Sequence, residues 1–312
     1  MYKDDLTKYI NEINYQKQSN FQFNNIYLDQ KNAIYILKYF NRKYAINAHE
    51  DIIDEMSLFE NELNPPTGIH KRYIIKTDTG MTGVHFAALN IFKDSKENTS
   101  LIFVDASNGK NKFIPFKINY YINKSTHKNK LKVLYIYSQI QNSPGDCLLF
   151  CLHFLKKMHK YSTHFTELHQ KIFDDQIQFI NSENTIFTPS DSKITKNKVP
   201  DEDCKKYRTV FFDQAINLLP IGFFKHAHSL RPLEAYLDRH QDEQESRVNN
   251  YKKKDGTIGE TLLERYNRHS TLRNEMNIRT NKPIERKYSI SIEEKRLRLA
   301  EAALKWLDEH GE

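Results

Sequence analysis

The spacing of apolar positions changes along this chain, and each change marks an element. Over residues 1 to about 60 the apolar side chains fall at helical intervals: Tyr9, Ile10 and Ile13, then Ile34, Leu37 and Phe40, then Ile52, Ile53, Met56 and Phe59. That spacing predicts amphipathic helices, which the stretch NPPTG at 64–68 interrupts. From there to about residue 140 the runs RYIIKT, GVHFAALNIF, LIFVDAS and KVLYIYSQI read as strands, each bounded by a polar or glycine-containing connection. The helical period returns in DCLLFCLHFLKKMHKY, where Leu148, Cys151, Leu152, Leu155 and Met158 share a face. Pro144 and Gly145 supply the turn that feeds this helix, and Asp146 is its expected N-cap.

Residues 181–204 are polar, poor in large apolar side chains and rich in turn formers, which predicts an exposed loop or linker. Beyond them come helix-like pieces, a KKKDG turn at 252–256, a short alternating KYSISI and a final charged amphipathic helix, EEKRLRLAEAALKWLDEH. The expected organisation is α+β. Residues 1–61 form an N-terminal leader and helices, 62–180 a sheet-and-helix catalytic core, and 205–312 a mostly helical regulatory part completed by the N-terminal helices.

Composition narrows the function classes. No apolar run approaches the roughly 18 residues a membrane span needs, and the N-terminus lacks the apolar block of a cleavable secretory signal. The formal net charge is +7, yet Lys and Arg are interleaved with Asp and Glu and no groove-reading motif accompanies them, so nucleic acid is not an expected partner. Three cysteines, Cys147, Cys151 and Cys204, cannot all pair and have no zinc-site spacing, which points to free thiols in a reducing compartment and no metal.

The candidate chemistry centres on Cys147. A thiol in the first turn of a helix faces unpaired N–H groups and the positive end of the helix dipole, which favour thiolate. The alternative is a small buried apolar residue, a description that suits Cys151 one turn further in. His85 shares a strand face with Ala87, Leu89 and Ile91, where an imidazole needs a partner, and Asp105 closes the apolar run LIFVDAS. A carboxylate there would orient the imidazole, and the imidazole would take the thiol proton. Gln141, six residues before Cys147, is either an oxyanion donor acting with the cysteine's own N–H or a surface amide.

TGVHFAALNIF, TSLIFVDAS, QIQNSPGDCLLFCLHFLKKM, LLPIGFFKHAHSLRPLEAYL and KYSISIEEKRLRLAEAALKWL together resemble the YopJ family of type III secreted effector acetyltransferases. The resemblance implies a core similar to the SUMO-specific and adenoviral cysteine proteases, turned to acetyl transfer. It makes Cys147 the nucleophile acylated by acetyl-CoA, His85 the general base and Asp105 the orienting acid. Asp105 stands where many members carry Glu, and Leu148 where Gly usually follows the cysteine. It further implies secretion by a type III-like route into the host cytoplasm, and Ser, Thr or Lys acceptors on host signalling proteins such as kinases.

The resemblance also implies activation by inositol hexakisphosphate, for which the candidates in this chain are Lys225, His226, Arg231, Lys252 to Lys254, Lys282, Arg286 and Lys287. Lys225 also matches a lysine that family members acetylate on themselves. Two other readings use the same residues. One is a cysteine protease for ubiquitin-like modifiers, and the other is a catalytically inactive effector that binds host proteins.

Overall fold

A computed structural model describes residues 2–18, 24–78, 83–107, 113–125, 130–143, 145–177, 209–210, 212–252, 254–277 and 282–311. The expected loop at 181–204, with Cys204, lies outside the described residues. So do Pro144, Lys253 and the side chains of Lys282 and Arg286.

The fold is α+β. A mixed sheet follows chain order: β1 (Ile53–Asp54), β2 (Lys71–Asp78), β3 (Val84–Lys93), β4 (Thr99–Asp105), β5 (Leu131–Tyr137) and β6 (Thr209–Val210). Strands β2, β3 and β4 are antiparallel neighbours, and β4 and β5 run parallel, joined by a crossover containing α4 (Phe113–Lys124). Every residue of β4 is buried, because both faces of the sheet are covered. One face carries Ile74, Phe86, Ala88, Ile102, Val104, Leu134 and Ile136 against α5 (Cys147–Lys160) and α6 (Ser162–Phe173). The other carries Ile75, Ala87, Leu89, Phe103 and Tyr135 against Ile114 and Ile118 of α4. Burying each such Leu, Ile or Phe contributes roughly 1.5–3 kcal/mol, which fixes the register of β3 and hence the placing of His85.

The flanking segments close over α5. They comprise α1 (Tyr2–Gln18), α2 (Ile26–Tyr44), α7 (Phe212–Leu218), α8 (Arg231–Arg239), α9 (Leu262–Arg268) and α10 (Ser291–His310). Leu6, Tyr9 and Ile13 of α1, Ile36 and Phe40 of α2, and Ala300, Ala303 and Leu307 of α10 belong to the same buried cluster as Leu148 and Phe154 of α5. Among the described residues no helix is long and apolar enough to cross a membrane.

Three local expectations change. Ile52 to Phe59 do not form an amphipathic helix: β1, a single turn at Glu55–Ser57 and a π turn at Leu58–Glu62 occupy that stretch, and Met56 is exposed. Parallel pairing of Ile53 with Ile75 takes the backbone that a helix would have used. KYSISI is not an isolated alternation either. It supplies the end of β8 (Lys282–Ser289), which pairs with β7 (Ser270–Asn277) in a hairpin whose polar first strand gave no apolar signal. Finally, Asp146 stands at the N-cap position of α5 but makes no side-chain cap hydrogen bond. Its carboxylate is drawn instead to the buried guanidinium of Arg296, 2.6 Å away, and to the hydroxyl of Ser143. A charge-assisted bond in a dry site outweighs a bond to a backbone N–H.

Candidate active site

His85 enters at the start of β3 and Asp105 leaves at the end of β4, so antiparallel pairing sets both at one edge of the sheet. His85 Nε2 lies 2.8 Å from Asp105 Oδ2. The carboxylate is fully buried and also accepts from the Tyr135 hydroxyl at 2.7 Å and the Ser107 N–H at 2.7 Å. Burial pushes the Asp105 carboxyl up, but His85 and these two donors outweigh it and hold the group below the ordinary carboxylate range. An acid kept ionised accepts, so the proton of the pair resides on His85 Nε2. That leaves Nδ1 as the ring nitrogen without a share in the Asp105 pair. Burial disfavours the imidazolium, yet Asp105 and Cys147 together raise His85 well above its ordinary value.

Cys147 is the first residue of α5 and is buried, as is Cys151. Burial, reinforced by Cys147 and Asp105, pushes the Cys151 thiol up, which leaves it a packing residue. Gln141 donates its amide Nε2 to the Ser143 carbonyl at 2.7 Å, inside the loop that leads to Cys147. Leu148 is fully buried in the core.

That loop is held from outside the catalytic core. The Asn142 N–H donates to His228 Nδ1 at 3.0 Å, and the His228 N–H donates to the Ile140 carbonyl at 2.9 Å. Arg296 of α10, buried at 5% exposure, forks onto Asp29 of α2 through Nε at 2.9 Å and Nη2 at 3.1 Å while also reaching Asp146. The Tyr9 hydroxyl of α1 donates to the same Asp29 at 2.5 Å.

A second constellation lies at the far end of α5, about 15 Å along the helix from Cys147 at 1.5 Å per residue. Lys156, Lys157 and Lys160 meet Lys225, Arg265 and Lys295 there, with the buried imidazoles of His153 and His226 beside them. Lys295 Nζ lies 2.9 Å from His153 Nδ1. The charges acting most strongly on Lys225 are other cations, and burial together with them lowers it to about 6. Lys157 falls to about 8 for the same two reasons, and Lys295 lies well below its ordinary value. Arg265 has Glu260 3.8 Å away, but the charges that act on Lys157, Lys225 and Lys295 are other cations, and such a cluster forms a basin for a polyanion.

Of the described members of the sequence-predicted basic set, the basin gathers Lys225 and His226. Arg231 is exposed at the start of α8, Lys252 and Lys254 are exposed, and Lys287 binds Asn267 at the surface. Sequence reasoning passed over Lys156, Lys157, Lys160, Arg265 and Lys295. The run KKMHK was the available signal, but its residues were read as part of the helix behind Cys147. Among the described residues no group of three or more His, Cys, Asp or Glu side chains is placed to hold a metal ion.

The sequence profile of the family described as YopJ serine/threonine acetyltransferase matches residues 6–302. No curated protein sequence matches this one significantly. A deletion variant of AvrA with IP6 and CoA superposes with a TM-score of 0.73 at 17% identity, over 97% of this chain and 99% of that one. HopZ1a in complex with IP6 and CoA gives 0.70 at 18% identity, over 97% of each chain. At these identities the likeness is one of fold.

Proposed function

Since the chain belongs to the YopJ serine/threonine acetyltransferase family, we propose that Cys147, His85 and Asp105 carry an acetyl group from acetyl-CoA to a protein side chain. The observation that carries this reading is the His85–Asp105 pair set against a cysteine at a helix N-terminus. In the first half-reaction Cys147 Sγ attacks the thioester carbonyl as its proton passes to His85. The carbon–sulfur bond to CoA then breaks, His85 returns the proton to the leaving sulfur, and acetyl-Cys147 remains. In the second, a Ser or Thr hydroxyl or a Lys amine attacks the acyl carbon, His85 takes its proton, and that proton goes back to Cys147 Sγ. Asp105 holds the ring in the required tautomer throughout, and Gln141 with the Cys147 N–H is assigned to the oxyanion.

The cation basin is assigned to inositol hexakisphosphate, the IP6 of the AvrA and HopZ1a complexes. Lys156, Lys157, Lys160, Lys225, Arg265 and Lys295 would hold it, and six phosphates supply the negative charge the basin lacks. Lys225, lowered to about 6, is in part a neutral amine near neutral pH and is the candidate for self-acetylation. The acceptors are assigned to host signalling proteins such as kinases, reached by type III secretion into the host cytoplasm.

The test is incubation of purified protein with labelled acetyl-CoA, with and without inositol hexakisphosphate, comparing wild type with Cys147→Ala. Label on the enzyme that requires both Cys147 and the inositol phosphate supports both assignments. Label that Cys147→Ala retains sinks the nucleophile, and no label under any condition sinks acetyl transfer for this chain.

A further inference from the structure

Asp146 poses a problem that the proposed chemistry leaves open. It is the residue directly before the nucleophile, it stands at the N-cap position of α5, and Asp is among the side chains that most readily cap a helix. A capping carboxylate would bond the N–H groups of the first turn and set a negative charge beside the Cys147 sulfur. Both effects oppose acyl transfer. The sulfur is most nucleophilic as thiolate, and the acyl oxygen needs the same N–H groups when it becomes an oxyanion.

The observed carboxylate makes no cap bond, and its charge is matched by an arginine. Asp146, 4% exposed, places Oδ1 2.6 Å from Arg296 Nη2, while Oδ2 receives the Ser143 hydroxyl and lies 3.9 Å from His228 Nε2. Arg296 is itself anchored by Asp29 across the fold, so its position does not depend on Asp146. Burial works against the guanidinium charge, but Asp29 and Asp146 offset it and keep the group protonated.

We propose that Arg296 is a positioning residue for acyl transfer: it draws the Asp146 carboxylate off the N-terminus of α5 and neutralises it, leaving the helix N–H groups to Cys147 and to the acyl oxygen. A residue 149 positions further along the chain than the nucleophile thereby decides whether the nucleophile's own helix can be used. The proposal rests on Cys147 being the nucleophile, as assigned above.

The test follows Cys147 with iodoacetamide at pH 7, scoring the Cys147 peptide by mass spectrometry, so it does not depend on acetyl transfer. Removing Arg296 alone would also strand Asp29, so the series is built on Asp29→Asn, with folding checked by circular dichroism. Asp29→Asn/Arg296→Gln releases the Asp146 carboxylate and is expected to alkylate about tenfold more slowly than Asp29→Asn, the effect of one unpaired like charge within about 4–6 Å. Adding Asp146→Asn is expected to restore the rate to within about twofold, by the same account of that charge. A merely structural role predicts no rescue, because the third substitution removes one more buried contact.

Equal rates in the first two variants, or a triple variant as slow as the double, overturns the proposal. Should the Gln variant not fold, Arg296→Met takes its place, since it keeps the apolar stem but carries neither charge nor donors, and it is expected to give the same order of rates. A wild-type Cys147 inert to iodoacetamide overturns the nucleophile assignment and the proposal with it. A reactive wild type with no rescue overturns the proposal alone.

Discussion

Lys295 and Arg296 are consecutive on the second turn of α10 yet sit in opposite electrostatic surroundings. Lys295 lies among Lys225, Lys156 and Lys157, whereas Arg296 is clasped between Asp29 and Asp146. Successive helical residues project about 100° apart, so one turn can serve both the polyanion basin and the loop ahead of the nucleophile.

The basin should reveal itself through protons. Lys225 at about 6 and Lys157 at about 8 lie below the ordinary lysine value of 10.5, so between those values the unfolded chain binds more protons than the folded one. Stability of the ligand-free protein is therefore expected to rise as pH increases above about 6 and to level off near the ordinary value. Binding of inositol hexakisphosphate should recharge these lysines, with net proton uptake at pH 8. Titration calorimetry in buffers of different ionisation enthalpy measures it, and an uptake of zero would place the ligand elsewhere. Lys295→Met is expected to raise the melting temperature of the ligand-free protein while weakening the binding.

Tyr135→Phe removes one of the donors that hold Asp105 ionised, and Asp105 should then titrate at higher pH. The contribution of a carboxyl lowered in the folded state is present above its unfolded value and lost as pH falls through its folded value. The acid limb of the activity profile is accordingly expected to move to higher pH, since the carboxylate loses a hydrogen bond that favours its charged form. An unmoved limb in a rate-versus-pH series would show that Tyr135 is only a packing residue.

Asp29→Ala leaves Arg296 half-paired in a dry site and is expected to cost about 3–5 kcal/mol in urea unfolding. Asp29→Asn keeps acceptors for Arg296 and Tyr9 and should cost distinctly less. Similar losses would show that the charge of Asp29, rather than the hydrogen bonds it accepts, holds this junction together.

Gly145 has φ of +90°, and a Cβ there would run into Asn24 Oδ1. Gly145→Ala therefore meets both backbone strain, about 1–2 kcal/mol, and a clash with the N-terminal segment. Pairing it with Asn24→Ala should relieve the clash but leave the strain, giving a measurable coupling in a double-mutant cycle of melting temperatures. Strict additivity would mean that the α1–α2 connection does not press on this loop.

Much of the core was legible in the sequence. RYIIKT, GVHFAALNIF, LIFVDAS and KVLYIY are strands because their β-branched and aromatic runs have no other way to be buried on both faces, and the helical period behind Cys147 is unmistakable for the same reason. Period-two geometry also placed His85 among apolar neighbours, where an imidazole demands a partner, and put Asp105 at the matching strand end. These are local rules, and local rules were enough for the pair at the sheet edge.

What only the tertiary structure decided is where charge converges. Lys156, Lys225, Arg265 and Lys295 come from four separate elements, and the clasp of Arg296 on Asp29 and Asp146 spans three. A lysine on a helix reads alike whether it faces water or five other cations, and Asp146 reads as a cap until a buried arginine arrives from the other end of the chain. Hydrophobic period is a property of neighbours in sequence, whereas the field at a charged group is set by everything within a few ångströms of it in space.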